Sequence, residues 1–106
     1  MTDSPNHAAL AGVRVLDLSR VLAGPWASQL LGDLGAEIIK IERPGAGDDT
    51  RGWGPPFLKN DAGETTDAAY FLSANRNKKS VVIDIAAPEG AELVRRIAKT
   101  SHVLLE

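Results

Sequence analysis

The stretch from residue 13 to residue 43, VRVLDLSRVLAGPWASQLLGDLGAEIIKIER, constrains the fold more than any other. An apolar run carrying Val13, Val15, Leu16 and Leu18 leads into Ala23-Gly24-Pro25. A helical pattern follows, and a second apolar run, Ile38-Ile39-Lys40-Ile41, ends on Glu42-Arg43. β-branched residues after the Gly12 turn favour a strand over 13–19. Pro25 suits the first turn of a helix, where its missing N–H has no intrahelical partner to lose. Trp26, Ala27, Leu30, Leu31 and Leu34 recur at three- and four-residue steps and read as one apolar helical face. Gly35 is a natural left-handed stop. Residues 36–42 are nearly continuously apolar, as in a parallel strand covered on both faces. The result is a βαβ unit whose strand ends open onto one crevice.

The rest of the chain reads as a second copy of that scheme. Residues 43–67 hold five glycines and three prolines and keep no period. Loops longer than about 12–15 residues are uncommon in compact domains. Trp53 and Phe57 argue for an ordered excursion here rather than a flexible one. Residues 68–73 read as a helical turn, 75–79 as a polar, basic turn, and 80–85 as the third strand. Pro88 opens a helix with Leu93, Val94, Ile97 and Ala98 on its inner face, and 102–105 form the fourth strand. The expected class is α/β: a Rossmann-like three-layer fold with a parallel sheet. At 106 residues the chain has the size of one domain. Residues 1–9 read as a flexible tail and 10–106 as the N-terminal part of a larger domain, because the sequence stops at Glu106 straight after the apolar Val103-Leu104-Leu105.

Several function classes fall away. A formal charge of −2 gives no reason to expect nucleic acid or an anionic membrane as partner. There is no cysteine, so thiolate nucleophiles, thiolate metal sites and disulfides are excluded. No apolar run reaches the ~18 residues of a membrane span, and the polar N-terminus lacks the pattern of a signal peptide. A cytoplasmic protein is expected.

Few residues stand out chemically. Ala23-Gly24-Pro25, between strand and helix, would let a ligand approach backbone N–H groups at a helix N-terminus; the local pattern favours a plain tight turn. It is not the G-x-G-x-x-G dinucleotide fingerprint. In dinucleotide folds, an acid at the position of Glu42 meets a ribose hydroxyl, and an arginine such as Arg43 accommodates a phosphate. A solvated pair capping the strand is the alternative. Residues 75–79 carry three positive charges, which suit an anion or, more simply, solvent. His7 and His102 have no carboxylate or histidine at metal-ligand spacing. No serine sits in a G-x-S-x-G elbow. The residues alone thus point to a nucleotide-type half-domain without a catalytic group.

Three separated blocks, taken in order, carry a resemblance: LxGVRVLDLSRVLAGP, then LGDLGAEIIKIERPGxGDxTRGWGPPF, then NRNKKSVVIDI. From about residue 10 to 106 the chain resembles the family III CoA-transferases, of CaiB/BaiF type. The RGWGPPF segment is most similar to the succinyl-CoA:dicarboxylate (glutarate-type) members. The α-methylacyl-CoA racemases share the first and third blocks but less of the long loop.

The resemblance implies a longer enzyme built as an interlocked homodimer, with this chain in its large Rossmann-like domain. CoA or acyl-CoA would bind as substrate, beside a small carboxylic acid and with no prosthetic group. Arg43 matches the arginine that meets the nucleotide phosphate of CoA. Leu22 and Ala23 match a backbone segment touching the ligand, and Ile83, Asp84, Ile85 and Ala86 match the segment lining the adenine. Many members place a glutamine or histidine near Leu22, and leucine has no such group. The family nucleophile is an aspartate that passes through an acyl anhydride and an aspartyl-CoA thioester. No aspartate in this chain matches it, so the chain alone is expected to be inactive. A racemase-like isomerase, or a non-catalytic CoA-binding or interaction module, are the other readings.

Overall fold

The computed structural model describes residues 7–106. Most of the expected N-terminal tail, residues 1–6, lies outside the described residues. Four strands form one parallel sheet: β1 (Arg14–Asp17), β2 (Glu37–Glu42), β5 (Lys78–Val82) and β6 (Val103–Leu105). Their spatial order is β5-β2-β1-β6. Helix α1 (Ala23–Asp33) links β1 to β2, and α3 (Pro88–Lys99) links β5 to β6. The expected Rossmann-like arrangement is therefore present.

Register explains the layers. Val15 lies opposite Ile38 on one side and Val103 on the other, and Leu16 lies opposite Ile39 and Leu104. Successive side chains point to opposite faces. Val15, Ala36 and Ile38 form one buried cluster with Leu31 of α1 against it. Leu16, Ile41 and Ile83 form another, covered by Val94 and Ile97 of α3. Helix α3 keeps the bounds read from the sequence. Pro88 starts it, Glu89 lies in its first turn and Arg96 and Lys99 in its last, all favourable to the helix dipole.

Two expectations need correction. The stripe Trp26, Leu30 and Leu34 is about half exposed, while Pro25, Ser28 and Gln29 are the buried residues of α1. The reason lies beneath the helix. The Ser28 hydroxyl donates to Asp17 of β1, and Gln29 bonds the Ser73 carbonyl and the Arg76 N–H at 3.1 and 2.7 Å. Asp17 of the sheet draws Ser28 inward, and Ser73 with Arg76 draws Gln29, while Leu31 packs on Val15 and Ile38.

Second, the third parallel strand starts at Lys78, not Ser80, and ends at Val82. Pairing of Lys78 with Ile38 through Val82 with Glu42 sets that register. The Lys78 side chain is buried, 3.5 Å from Asp17, which is why a basic run disguised the strand. Arg76 and Lys79 pair instead with Asp33 and Glu37 on the surface.

The long excursion is ordered, as expected, and holds regular structure. A 3-10 turn (Asp49–Gly52) precedes an antiparallel hairpin of β3 (Phe57–Lys59) and β4 (Thr65–Ala68), followed by the short helix α2 (Ala69–Ala74). The Asn60 side chain closes the hairpin by accepting the N–H groups of Ala62 and Glu64, each at 3.0 Å. Such short strands leave no period to read. The excursion packs on α2 through Trp53, edge-on to Tyr70 at 5.4 Å, and through Arg51, 3.8 Å above the Phe71 ring. No helix among the described residues is long and apolar enough to cross a membrane.

Candidate functional site

The chain leaves β1 toward β2 on one side, while β6 returns to the other side of β1. The carboxyl ends of β1 and β6 therefore flank a topological switch point, where open α/β sheets bind their ligands. An open crevice of about 940 Å³ lies there. Four segments line it: 18–24 after β1, 40–43 at the end of β2, 83–86 after β5, and Glu106 after β6. Gly47 and Asp48 of the excursion complete the wall. All seven positions singled out above, Leu22, Ala23, Arg43, Ile83, Asp84, Ile85 and Ala86, share this one crevice.

The turn after β1 is packed tightly on itself. A Cβ on Gly24 would fall 2.2 Å from the Cβ of Ser19, so only glycine fits. Helix α1 begins with no side-chain cap, since Leu22 stands at the capping position and has no acceptor. Pro25 contributes no donor, so the free amides at this end belong to the residues just before it. After β5, Ile83 donates its N–H to the Glu42 carbonyl at 3.0 Å, and the Asp84 carboxylate accepts the Ala86 N–H at 3.0 Å. Ile83 is buried and Ile85 half exposed, which gives the crevice an apolar flank.

Glu42 and Arg43 diverge. The Glu42 carboxylate is committed inward: it accepts two bonds from Arg51 at 2.8 and 2.6 Å, the Asp48 N–H at 2.8 Å, and the Ser80 hydroxyl. Burial alone would raise its pKa, but the bonds from Arg51, Ser80 and Asp48 outweigh it and hold the carboxyl at about 2. It has no acceptor to spare for a ribose. Arg43 is half exposed and pairs with Asp49, itself about one-third exposed. An exposed pair of this kind is worth roughly 0–1 kcal/mol, so a ligand phosphate can displace Asp49 at little cost.

Below the turn lies a buried ionic layer. Lys40 donates to Asp48 at 2.9 Å and to the Ser19 carbonyl at 3.1 Å. Lys78 donates to the Pro25 carbonyl and to Asn75 at 2.9 and 2.8 Å. Burial pulls the Lys78 amine down to about 8, against the opposing charge of Asp17. The carboxyl of Asp48 is also lowered: burial works against this, but bonds from Thr50 and Lys40 prevail.

Sequence reasoning missed Arg20, Lys40 and Asp48. Arg20 lines the crevice, is exposed, and has no hydrogen-bonding or ionic partner among the described residues. Lys40 had a legible signal: a charge inside an apolar run buried on both faces must find a partner. No cluster of His, Asp or Glu among the described residues could hold a metal ion.

Known proteins supply the frame for this geometry. The chain is 54% identical over 107 residues to a succinate–glutarate CoA-transferase of Agrobacterium fabrum, covering 100% of this chain and 27% of that protein. A succinyl-CoA:glutarate CoA-transferase of Homo sapiens is 52% identical, covering 99% of this chain and 23% of the relative. The chain thus spans about a quarter of the length of these relatives. Among solved structures, a CaiB/BaiF family protein from Brucella suis superposes with a TM-score of 0.84 at 50% identity, over 92% of this chain and 25% of that one. The model of the CoA-transferase family III matches residues 10–106, and the chain belongs to that family.

Proposed function

We propose that this chain is the CoA-binding segment of an acyl-CoA:carboxylate CoA-transferase. One observation carries the reading: the carboxyl ends of the parallel strands gather Leu22, Ala23, Arg43 and residues 83–86 around a single crevice at the switch point. Arg43 takes the nucleotide phosphate of CoA in exchange for Asp49. The amides ahead of Pro25 meet the ligand through backbone N–H groups. Ile83 and Ile85 flank the adenine.

The chain holds the handle of the substrate, and the nucleophile comes from the remainder of the family-length protein. There an aspartate attacks the acyl carbonyl, the C–S bond breaks, and a mixed anhydride forms with release of CoA thiolate. The thiolate then attacks the aspartyl carbonyl, freeing the first acid and leaving an aspartyl-CoA thioester. An incoming carboxylate reverses the sequence and leaves as the new CoA ester. The names of the relatives favour succinate and glutarate as the acids, hence a transferase over a racemase. The full-length enzyme works as an interlocked homodimer in the cytoplasm, and this segment alone does not turn over.

Calorimetric titration of this chain with CoA tests the reading. Saturable heat is expected. No heat, with circular dichroism showing the fold intact, contradicts it.

A further inference from the structure

Val21 has φ of +75°. A β-branched residue in the left-handed region is a backbone outlier that persists only where its surroundings impose it. Here they do so from below. Asp48 Oδ2 accepts both the Lys40 ammonium at 2.9 Å and the Val21 N–H at 3.4 Å. Lys40 also donates to the Ser19 carbonyl at 3.1 Å, so Ser19 and Val21 are gripped on either side of Arg20. The grip is itself anchored. Asp48 Oδ1 accepts the N–H and hydroxyl of Thr50 at 3.0 and 2.8 Å, and Ser19 N–H donates to Asp17 at 2.8 Å.

The side chains of Lys40 and Asp48 are 1% and 0% exposed. Removing two charges from water is costly, and well-packed apolar groups in their place are often as stable or more so. Stability is therefore a weak reason for this pair, whereas fixing one backbone conformation is a sufficient one. Resting on the CoA reading above, we propose that the buried Lys40–Asp48 pair is a positioning device that holds residues 19–22 in the strained conformation presented to the ligand. Lys40 and Asp48 act through the loop; the ligand meets Val21 and Leu22.

The test uses Lys40→Met together with Asp48→Asn, which keeps side-chain volume and leaves no orphaned charge. Amide hydrogen exchange at Val21 and Leu22 reads the grip without any ligand. Calorimetry with CoA reads its consequence. Exchange at those two amides should speed up by about tenfold or more while β1 and β2 keep their protection. CoA should bind about tenfold more weakly, a change of about 1.4 kcal/mol. Val21→Gly supplies the control, because glycine takes positive φ without strain. In that background the same double substitution should weaken CoA by about threefold or less. Unchanged exchange at Val21 overturns the proposal, as does an equal loss of affinity in both backgrounds. Should the unsubstituted chain fail to bind CoA, the CoA reading falls, and the exchange comparison still decides whether the grip exists.

Discussion

Ser28 on α1 donates its hydroxyl to the carboxylate of Asp17 on β1, so the helix meets the sheet through a polar layer. The same layer contains Lys40, Glu42 and Lys78, all on the face of the sheet that α1 covers. It accounts for the inward place of Ser28, while Trp26, Leu30 and Leu34 are left half exposed and Leu31 packs on Val15 and Ile38.

A stability ranking follows that reverses the one its periodicity suggests. Leu30→Ser and Leu34→Ser should each cost no more than about 0.5 kcal/mol, the range of exposed substitutions. Ser28→Ala should cost about 1–2 kcal/mol, because a buried carboxylate loses a donor. Urea denaturation of the three variants checks this. Losses of 2 kcal/mol or more at Leu30 and Leu34 would place them in the core.

Glu42 sets an acid limit. Its carboxyl sits at about 2 in the folded chain against an ordinary 4.5. The folded state thus binds its proton less readily than the unfolded state, and Glu42 contributes stability that is complete above pH 4.5 and lost as pH falls toward 2. The span corresponds to about 3 kcal/mol, of which about 2 kcal/mol is gone by pH 3. Glu42→Gln removes the titration. The stability difference between the original chain and this variant should therefore shrink by about 2 kcal/mol between pH 6 and pH 3 in urea titrations. A difference that stays constant across this window would show that the Arg51 and Ser80 bonds do not hold the carboxylate.

Gly90 fixes how α3 meets the segment after β5. A Cβ at this position would lie 1.8 Å from the Asp84 carbonyl oxygen, which is backbone and cannot swing away. Helix propensity favours alanine over glycine by about 1 kcal/mol. The clash should win, because overpacking costs about 1–3 kcal/mol and here must move the chain itself. Gly90→Ala should therefore lower stability by up to about 2 kcal/mol net, and it should weaken CoA by displacing residues 83–86. A more stable variant with unchanged affinity would contradict this placement.

Much of the architecture was legible because it is written in local signals. The run from Val13 to Arg43 carries a strand, a proline start, a glycine stop and a strand in order, and Pro88 with Lys99 bounds α3 just as its pattern indicates. What escaped depends on contacts between distant residues. Lys78 belongs to a strand only because β2 pairs with it, and its charge is hidden because the Pro25 carbonyl, Asn75 and, 61 positions earlier, Asp17 surround it. The hairpin is held by Asn60 rather than by alternation. At the site, the resemblance named positions that the structure brings together. It did not name Lys40 or Asp48, whose buried pair bonds the Ser19 carbonyl and the Val21 N–H. Glu42 was left open between a ribose contact and a solvated pair, and neither survives. Its partners, Arg51 and Ser80, come from two other segments.

Arg43 carries the central claim, that the crevice recognises the phosphorylated nucleotide of CoA. On the proposed reading Asp49 competes with the phosphate for Arg43, so Asp49→Ala should strengthen CoA severalfold at almost no cost in stability. The decisive comparison is calorimetric titration of Arg43→Ala and the unsubstituted chain, each with CoA and with dephospho-CoA. Loss of a charge-assisted bond should weaken CoA by about 1.5–3 kcal/mol and dephospho-CoA by much less. Equal losses for the two ligands would contradict a contact between Arg43 and the phosphate.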